Sequence, residues 1–538
     1  MPRTSRWPAA AVGLVLAILA VVGCQSRSAQ APKGEVGVAP SVPNAPNGAK
    51  GTANHNKPFA DWPTPKAALI VSGEMLGYLD PCGCTQGQKG GLRRRMMLVE
   101  WLRQQGWPLA LIDLGSLIND PSTHGGPEET KIRHSVALKA LELLQYDALA
   151  FSANDLKLGV MEVLGQYLQL GDRPKVVVAN VVPEPALGLG SKFVPSLRIA
   201  AGPVQVGVTA VLDPAALDAI NDPDKAALLA VKPAEEVLPA VLADLEKDTG
   251  VQVLMVQGPP EVARRLAKTH PGFDLVVSTS PVPDPSKDQE SLNDGKTLLV
   301  MVGHKGQAIG VVGIFDDAPR FRFHRHTLTD RYDKSPELAR LGEPMRQLID
   351  EEFPSILKVA GVLEKYLKRP YVDPYTGAPS DAIYVGAETC KVCHPGTYEH
   401  WRNTGHARAY RGLTQKGRNR EWDAECVRCH TTGFEYLGGY TTPEQTPFLK
   451  GNQCENCHGP GSKHAADPDN KALLQAVARS AADWERNHRC LQCHDEDNDT
   501  DFKFERDWPE IEHNDLDDYS DPKVHQGITP EQLARQGG

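Results

Sequence analysis

Hydrophobic residues follow two patterns along this chain, and the change falls near residue 330. Before that point, short apolar runs alternate with amphipathic stretches. The apolar runs predict strands at 67–71, 109–114, 148–152, 175–182, 204–211, 251–257, 273–278, 298–302 and 309–315. The amphipathic stretches predict helices at 92–105, 128–146, 160–170, 233–247 and 260–269. Alternation at this spacing predicts a layered α/β domain over residues 65–330.

The second pattern lacks long apolar runs. Residues 331–383 predict a helical connector, with helices at 337–348 and 356–366 before a Pro- and Gly-rich stretch. Residues 384–515 predict a second domain of mainly helical and irregular structure, and 516–538 a polar, loosely ordered tail. The predicted fold class is therefore multidomain, with a layered α/β domain followed by a mainly α and irregular domain.

The N-terminus has the layout of an export signal. Arg3 and Arg6 precede an apolar run that is too short for a comfortable membrane span, so residues 1–23 predict a secretory signal. The run ends in Val-Val-Gly-Cys, which resembles a bacterial lipobox, and Cys24 is then expected to carry lipid. An uncleaved anchor helix, or a plain secretory signal with an incidental Cys24, is the alternative.

Residues 24–64 are rich in Pro, Gly, Ala, Ser and Asn, a composition that cannot bury enough apolar surface to become ordered. We therefore expect a flexible tether, and an exported lipoprotein on the periplasmic face of the outer membrane or in the cell envelope. The chain has 538 residues and a formal net charge of −10. This mild acidity argues against a nucleic-acid partner, which would require a basic face.

Cysteine carries the chemical information. Eight of the 11 Cys follow residue 389, and all eight belong to Cys-x-x-Cys-His units. Such a unit can form thioethers to both vinyl groups of one haem and present the adjacent His to the iron, whereas zinc sites usually lack a trailing His in every unit. The sequence therefore predicts four covalently bound c-type haems, attached by the following triplets: Cys390, Cys393, His394; Cys426, Cys429, His430; Cys454, Cys457, His458; and Cys490, Cys493, His494.

Further iron ligands follow from a family resemblance. Trp-Arg-Asn-Thr-Gly-His-Ala at 401–407, Gly-Gly-Tyr-Thr at 438–441 and Cys-Glu-Asn-Cys-His-Gly-Pro-Gly at 454–461 resemble the tetrahaem cytochrome c-554 family of ammonia oxidisers. The resemblance implies three axial pairs and a five-coordinate second haem held by His430. The implied pairs are His406 with His494, His464 with His394, and His513 with His458.

Three other histidines lie near or beyond these units. His525 is the alternative to His513, because the stretch that leads to His513 is shorter than in the family. His400 and His488 are expected to be exposed or hydrogen-bonded to a propionate, with iron ligation as the alternative.

The α/β region resembles the metallophosphoesterase domain of the 5′-nucleotidase type, in which metal-binding loops follow the strands. The corresponding loops here are 73–77, 113–116, 153–155 and 278–281; Asn154 is retained and the expected histidines are absent. A two-metal hydrolase needs several carboxylate and imidazole ligands around its ion pair. The resemblance thus implies the fold, and the departures predict a domain without a metal site.

Cys82 and Cys84 stand one residue apart in a Gly-rich loop before a basic helix. They could form a strained, reducible disulfide or redox pair, or ligate a metal, because a helix N-terminus and nearby arginines lower a thiol pKa. A rigid loop whose cysteines are simply oxidised is the alternative.

These observations predict an extracytoplasmic tetrahaem cytochrome lipoprotein that relays electrons between a donor and an acceptor protein, with the α/β domain as a docking module. An alternative is a haem oxidoreductase that converts a small nitrogen compound at the iron held by His430, which would also need proton donors. A phosphoesterase is the third possibility, disfavoured by the missing ligands.

Overall fold

The computed structural model of the chain describes residues 59, 61–82, 87–121, 125–287, 289–415, 419–478, 480–486, 489–514, 516–518, 520 and 526–529. The chain divides into two compact units, Met1–Asp61 and Trp62–Gly538. The predicted signal, Cys24 and most of the tether lie outside the described residues. Within the described ranges, no helix has the length and apolar character that a membrane span requires.

A seven-stranded sheet forms the first layer of strands. Its order is Phe321–Thr327, Ala308–Ile314, Ala67–Ser72, Leu109–Asp113, Ala148–Ala150, Lys175–Val177 and Phe193–Val194. The strands from Ala67–Ser72 to Phe193–Val194 run parallel, in a register that pairs Ala68 with Leu109, and Ala308–Ile314 runs antiparallel to both of its neighbours. All six residues of Ala67–Ser72 are buried, as expected for a parallel strand covered on both faces.

A six-stranded sheet packs against the first. Its order is Glu290–Leu292, Thr297–Met301, Leu275–Ser278, Val251–Gln257, Val204–Leu212 and Ser196–Ala201, with antiparallel strands at both edges. One buried cluster joins Leu69 and Ile112 of the first sheet to Val208, Val253 and Val277 of the second. The central core of the α/β part therefore lies between the two sheets.

Helices cover the outer faces. Leu92–Gln104, Gly126–Leu143 and Val160–Leu168 connect successive parallel strands of the first sheet, so they cross the face that the second sheet leaves open. Ala234–Leu245 and Pro260–Thr269 pack on the far face of the second sheet, where Leu238 and Leu266 contact Leu254 and Val276. The predicted layered α/β class is confirmed.

The later part consists of short elements. The connector contains Pro336–Leu341, Glu343–Arg346, a π-helical turn Gln347–Glu352, Phe353–Ala360 and Val362–Lys365. Two-residue strands follow at Tyr371–Val372 and Pro379–Ser380. The described α-helices beyond them are Ala387–Cys390, Pro395–Arg402, Arg411–Thr414, Ala424–His430, Cys454–His458, Ser462–Ala466, Lys471–Val477, Ala481–Arg486 and Phe504–Asp507. The predicted mainly helical and irregular class is confirmed here.

Candidate multihaem site

Each Cys-x-x-Cys-His unit lies on a short helical turn. The second and third units fall inside the helices Ala424–His430 and Cys454–His458. The first unit begins at the end of Ala387–Cys390, and the fourth lies on and just after the 3₁₀ turn Arg489–Gln492. One helical turn places two residues three apart on the same side, so both thiols of a unit can reach one macrocycle. All eight cysteines are partly buried and form no disulfide.

Local caps hold two of these turns. The Asp423 carboxylate accepts a hydrogen bond from the Cys426 backbone N–H at the start of the second unit. Gln453 and Asn456 form a reciprocal capping box at the third. Within that unit the buried Glu455 carboxylate accepts the N–H groups of Val385, Gly386 and Gly461. Burial raises the pKa of Glu455 to about 7 despite these bonds.

The structure brings the three implied histidine pairs together. Ring centroids are 6.3 Å apart for His394 and His464, and 6.1 Å apart for His406 and His494. The centroids of His458 and His513 are 5.9 Å apart. Two imidazoles on opposite sides of one metal have centroids about 6 Å apart, because each metal–nitrogen bond is about 2 Å long and each ring centroid lies farther from the metal than the bound nitrogen. The separations therefore fit an iron between the rings of each pair.

We call the histidines of the four Cys-x-x-Cys-His units the attachment histidines; in three of them, Nδ1 lies within hydrogen-bond distance of an oxygen atom. Nδ1 of His430 lies 2.6 Å from the carbonyl oxygen of Ala409, and Nδ1 of His458 lies 2.7 Å from that of Val477. Nδ1 of His494 lies 2.7 Å from a carboxylate oxygen of Asp499. A carbonyl oxygen can only accept, so His430 and His458 must carry a proton on Nδ1. Their Nε2 lone pairs are then available to a metal.

Burial also keeps the rings in the neutral form that a metal requires. Burial lowers the pKa of His406 to about 4, and it lowers the pKa values of His394, His430 and His464 below their ordinary value. A lowered pKa favours the neutral ring, which can offer a nitrogen lone pair to a metal.

His430 differs from the other three attachment histidines. Among the described residues, no other histidine ring is stacked against it. His400 lies 6.3 Å from His513, between ring centroids, and its buried Nε2 has no hydrogen-bond partner among the described residues. His488 and His525 lie outside the described residues.

The four units lie close to one another. The side chain of Cys390 lies close to that of Cys454, and the side chain of Cys429 lies close to that of Cys493. Cys457 lies near Cys490. A cavity of about 1170 Å³ extends between the second and fourth units and reaches the α/β part. These contacts order the sites as first, third, fourth and second.

The loops that would hold metal ions in the α/β part are bonded within the protein. The fully buried Asp113 carboxylate accepts the Ser72 hydroxyl at 2.6 Å and the Gly115 N–H at 2.8 Å, and Arg95 lies 3.5 Å away. The Asn154 amide donates to the Ile118 carbonyl at 2.7 Å. Arg95 therefore lies where its charge can balance that of the Asp113 carboxylate.

Of the other loop residues that the sequence analysis singled out, the structure describes only some. Glu74, in the first loop, accepts the Ser280 N–H at 2.9 Å and so bonds to the last loop. The backbone of Cys82 belongs to the short strand Pro81–Cys82, which pairs with Lys89–Gly90. The side chain of Cys82 and all of Cys84 lie outside the described residues. A disulfide or redox role for this pair stays a prediction.

Several groups at the site were not expected from the sequence. Asp499 follows His494 by five residues, a spacing that an acidic run makes hard to single out. The acceptors for His430 and His458 are backbone carbonyls 21 and 19 residues away, which no side-chain pattern could indicate. Arg133, which donates to Asp423, lies in the α/β part, 290 residues earlier.

Comparisons with known proteins bear on both parts of the chain. The solved structures similar to it include a 5′-nucleotidase precursor from Thermus thermophilus, at 16% identity and a TM-score of 0.45, over 63% of this chain and 68% of that one. A calcineurin-like phosphoesterase from Bacillus subtilis is 14% identical with a TM-score of 0.40, over 52% of this chain and 96% of that one.

The later part matches cytochromes. The family model described as cytochrome c554 and c-prime matches residues 389–459. Cytochrome c-554 of Nitrosomonas europaea is 31% identical over 138 residues, which cover 21% of this chain and 59% of that protein. The chain thus spans about three fifths of that relative's length. Residues 389–459 are therefore similar to the family described as cytochrome c554 and c-prime, whose members are c-type cytochromes.

Proposed function

We propose that this chain is an exported tetrahaem c-type cytochrome lipoprotein that relays electrons between two redox partner proteins. The single observation that carries the proposal is the set of three histidine pairs, each with ring centroids 5.9 to 6.3 Å apart and each containing one attachment histidine. Three sites with two imidazoles suit electron transfer, because the two rings of each pair would both bind the iron of a bound haem and would leave no position for a substrate.

The residues present suit this role. The cysteines of each unit would hold the macrocycle, and the attachment histidine would supply one axial ligand. His464, His406 and His513 would supply the second ligands opposite His394, His494 and His458. When bound, c-type haem supplies an iron that changes between the ferric and ferrous states by one electron. The Nδ1 contacts of His430, His458 and His494 would then fix the orientations of these three rings.

Export and anchoring are supported by the N-terminal residues alone. A signal-like run ends at Cys24, and the stretch from there to about residue 64 has the composition of a tether. Both partners would then be periplasmic or membrane-associated redox proteins. We also propose that the chain lies at the periplasmic face of the outer membrane or in the cell envelope.

A reductive titration tests the carrier role. The purified full-length protein is expected to take up four electrons per chain, one for each attachment unit, and to return them to an oxidised soluble c-type cytochrome. Coulometry gives the number of electrons, and stopped-flow absorbance gives the exchange. Uptake of fewer than four electrons would contradict the count of haems. Uptake of four without exchange with any cytochrome- or quinol-linked partner would contradict the relay.

A second function, conversion of a small nitrogen compound, is favoured by one observation: none of the described histidine rings is stacked against His430. On this hypothesis the oxidised protein is expected to show one high-spin component beside three low-spin components in its EPR spectrum. A small ligand such as nitric oxide or cyanide should perturb only the high-spin component. Four low-spin signals would remove this second function and leave the relay in place.

A further inference from the structure

The α/β part is hydrogen-bonded to the helix that carries the second attachment unit, Cys426 to His430. Helix Gly126–Leu143 brings Glu129 and Arg133 to the N-terminus of helix Ala424–His430. We call the four residues Glu129, Arg133, Asp423 and Glu425 the junction cluster. Its three carboxylates lie within 4.8 Å of one another.

Direct hydrogen bonds join the two parts in this cluster. The backbone N–H of Ala424 donates to Glu129 at 2.7 Å, so an α/β side chain satisfies the first turn of the second attachment helix. One guanidinium nitrogen of Arg133 lies 2.9 Å from both oxygens of Asp423. The same Asp423 caps the helix through the Cys426 N–H. The position of the second unit therefore depends on residues of the α/β part.

Charge in the cluster is balanced by arginine. Arg133 contacts all three carboxylates, at 2.7 Å to Glu129, 2.9 Å to Asp423 and 3.0 Å to Glu425. The side chains of Glu129 and Asp423 are 0% and 2% exposed, so water does not screen them. Arg420, itself 8% exposed at its side chain, reaches Asp423 at 3.7 Å and pairs with Asp80 of the α/β part. Removing one member would leave a buried charge without its partner, the costly case for buried ion pairs.

The cavity shows that these side chains also face the second site. Arg133 and Asp423 line the same cavity as Cys426, Cys429 and His430. Buried charges act over several ångströms in an environment of low dielectric constant. A negative charge near an iron favours the ferric state, and its removal favours the ferrous state. The cluster therefore sits where it can shift the equilibrium between the two states.

We propose that the α/β part is a positioning module for the second haem site, and that the junction cluster sets the redox potential of the iron held by His430. Glu129 and Arg133 are positioning residues, since they act through helix Ala424–His430 and not by ligation. This inference rests on the proposed tetrahaem function. It assigns the α/β part a role inside the molecule, in place of a docking surface for an external protein.

Asp423→Asn tests the proposal in the full-length holoprotein. Despite burial, Arg133 and Arg420 hold the pKa of Asp423 below its ordinary value, so the substitution removes a buried negative charge and keeps a side-chain oxygen that can accept the Cys426 N–H. One of the four midpoint potentials is expected to rise by about 59 mV, a tenfold change in the ferrous-to-ferric ratio of a one-electron couple. Glu425→Gln, at a side chain that is 33% exposed, should raise the same potential by a smaller amount. Arg133→Lys, which keeps the charge, should restore most of the wild-type value relative to Arg133→Gln.

Arg198→Gln is the matched control, since Arg198 pairs with Asp244 and Asp248 on an exposed face of the α/β part. It should leave all four potentials unchanged. Haem content, measured as the pyridine haemochrome, distinguishes a failure of this inference from a failure of the proposed tetrahaem function. Four haems with unchanged potentials in Asp423→Asn and Glu425→Gln would overturn this inference and leave the tetrahaem function standing. If Asp423→Asn fails to accumulate as a four-haem protein, the potentials of Glu425→Gln decide. Fewer than four haems in the wild-type protein would overturn the tetrahaem function itself.

Discussion

Replacing His464 by Ala is expected to convert one low-spin haem site to high spin. His464 lies 6.3 Å from His394 between ring centroids, and the two ring planes are inclined by 26°. The buried Nδ1 of His464 has no hydrogen-bond partner among the described residues. Loss of the imidazole would open one axial position and favour the ferrous state, by at least about tenfold or about 59 mV for a one-electron couple.

The EPR spectrum of the oxidised variant, and its charge-transfer absorbance near the red end of the spectrum, measure the change. His400→Ala is the control, because the His400 ring faces His513 and not an attachment histidine. It should leave the spin states as they are. An unchanged spectrum in His464→Ala would show that another group binds the iron opposite His394. A new high-spin signal in His400→Ala would make His400 a ligand.

Much of the α/β part follows from its sequence. The largely apolar run at 251–257 predicts the strand Val251–Gln257 to the residue, and the strongly amphipathic run at 260–269 predicts the helix Pro260–Thr269 equally well. The prediction of one strand over 175–182 was wrong, because the structure has two strands, Lys175–Val177 and Val181–Pro183. Asn180 lies between the two strands. Its side-chain amide hydrogen-bonds to the backbone of Leu212 and Lys232, in place of the strand pairing that would continue the sheet.

Edge strands were harder to predict. Ser196–Ala201 and Phe321–Thr327 were not among the predicted strands, and both are only partly buried. Phe321–Thr327 reads Phe-Arg-Phe-His-Arg-His-Thr, so its apolar content is low. Seven of its residues pair with residues of the neighbouring strand Ala308–Ile314, and the local sequence does not indicate this pairing. An edge strand needs its neighbour more than its own hydrophobicity.

The candidate site, too, contains residues that the sequence predicts and residues that it does not. The attachment cysteines and histidines are local motifs, so the sequence alone places them. The histidine pairs came from the family resemblance, since each joins residues 55 to 88 positions apart that no spacing rule connects. The junction cluster could not be predicted at all. Glu129 and Arg133 look like an ordinary pair four residues apart on an exposed helix face, and only the fold buries them against Asp423.

Replacing Cys454 and Cys457 by Ala is expected to have the largest effect on both haem content and stability. These residues form the third unit, whose Cys454 contacts Cys390 of the first and whose Cys457 lies near Cys490 of the fourth. The surrounding polypeptide has short helices and few apolar runs. Each ~200 Å² of apolar macrocycle surface that it covers contributes about 5 kcal/mol. The variant should therefore hold three haems and unfold at a markedly lower temperature.

The order of the sites makes the comparison sharper. Replacing Cys390 and Cys393 removes the first unit, whose thiol contact in the described part of the chain is with the third. That variant should also take up three electrons, but in one continuous titration with fast internal equilibration. Loss of the third unit should instead leave the first slow to equilibrate with the second and fourth, seen as a separate slow phase in stopped-flow reduction. Equal kinetics in the two variants would refute the order of sites, because the third unit would then be no more central than the first.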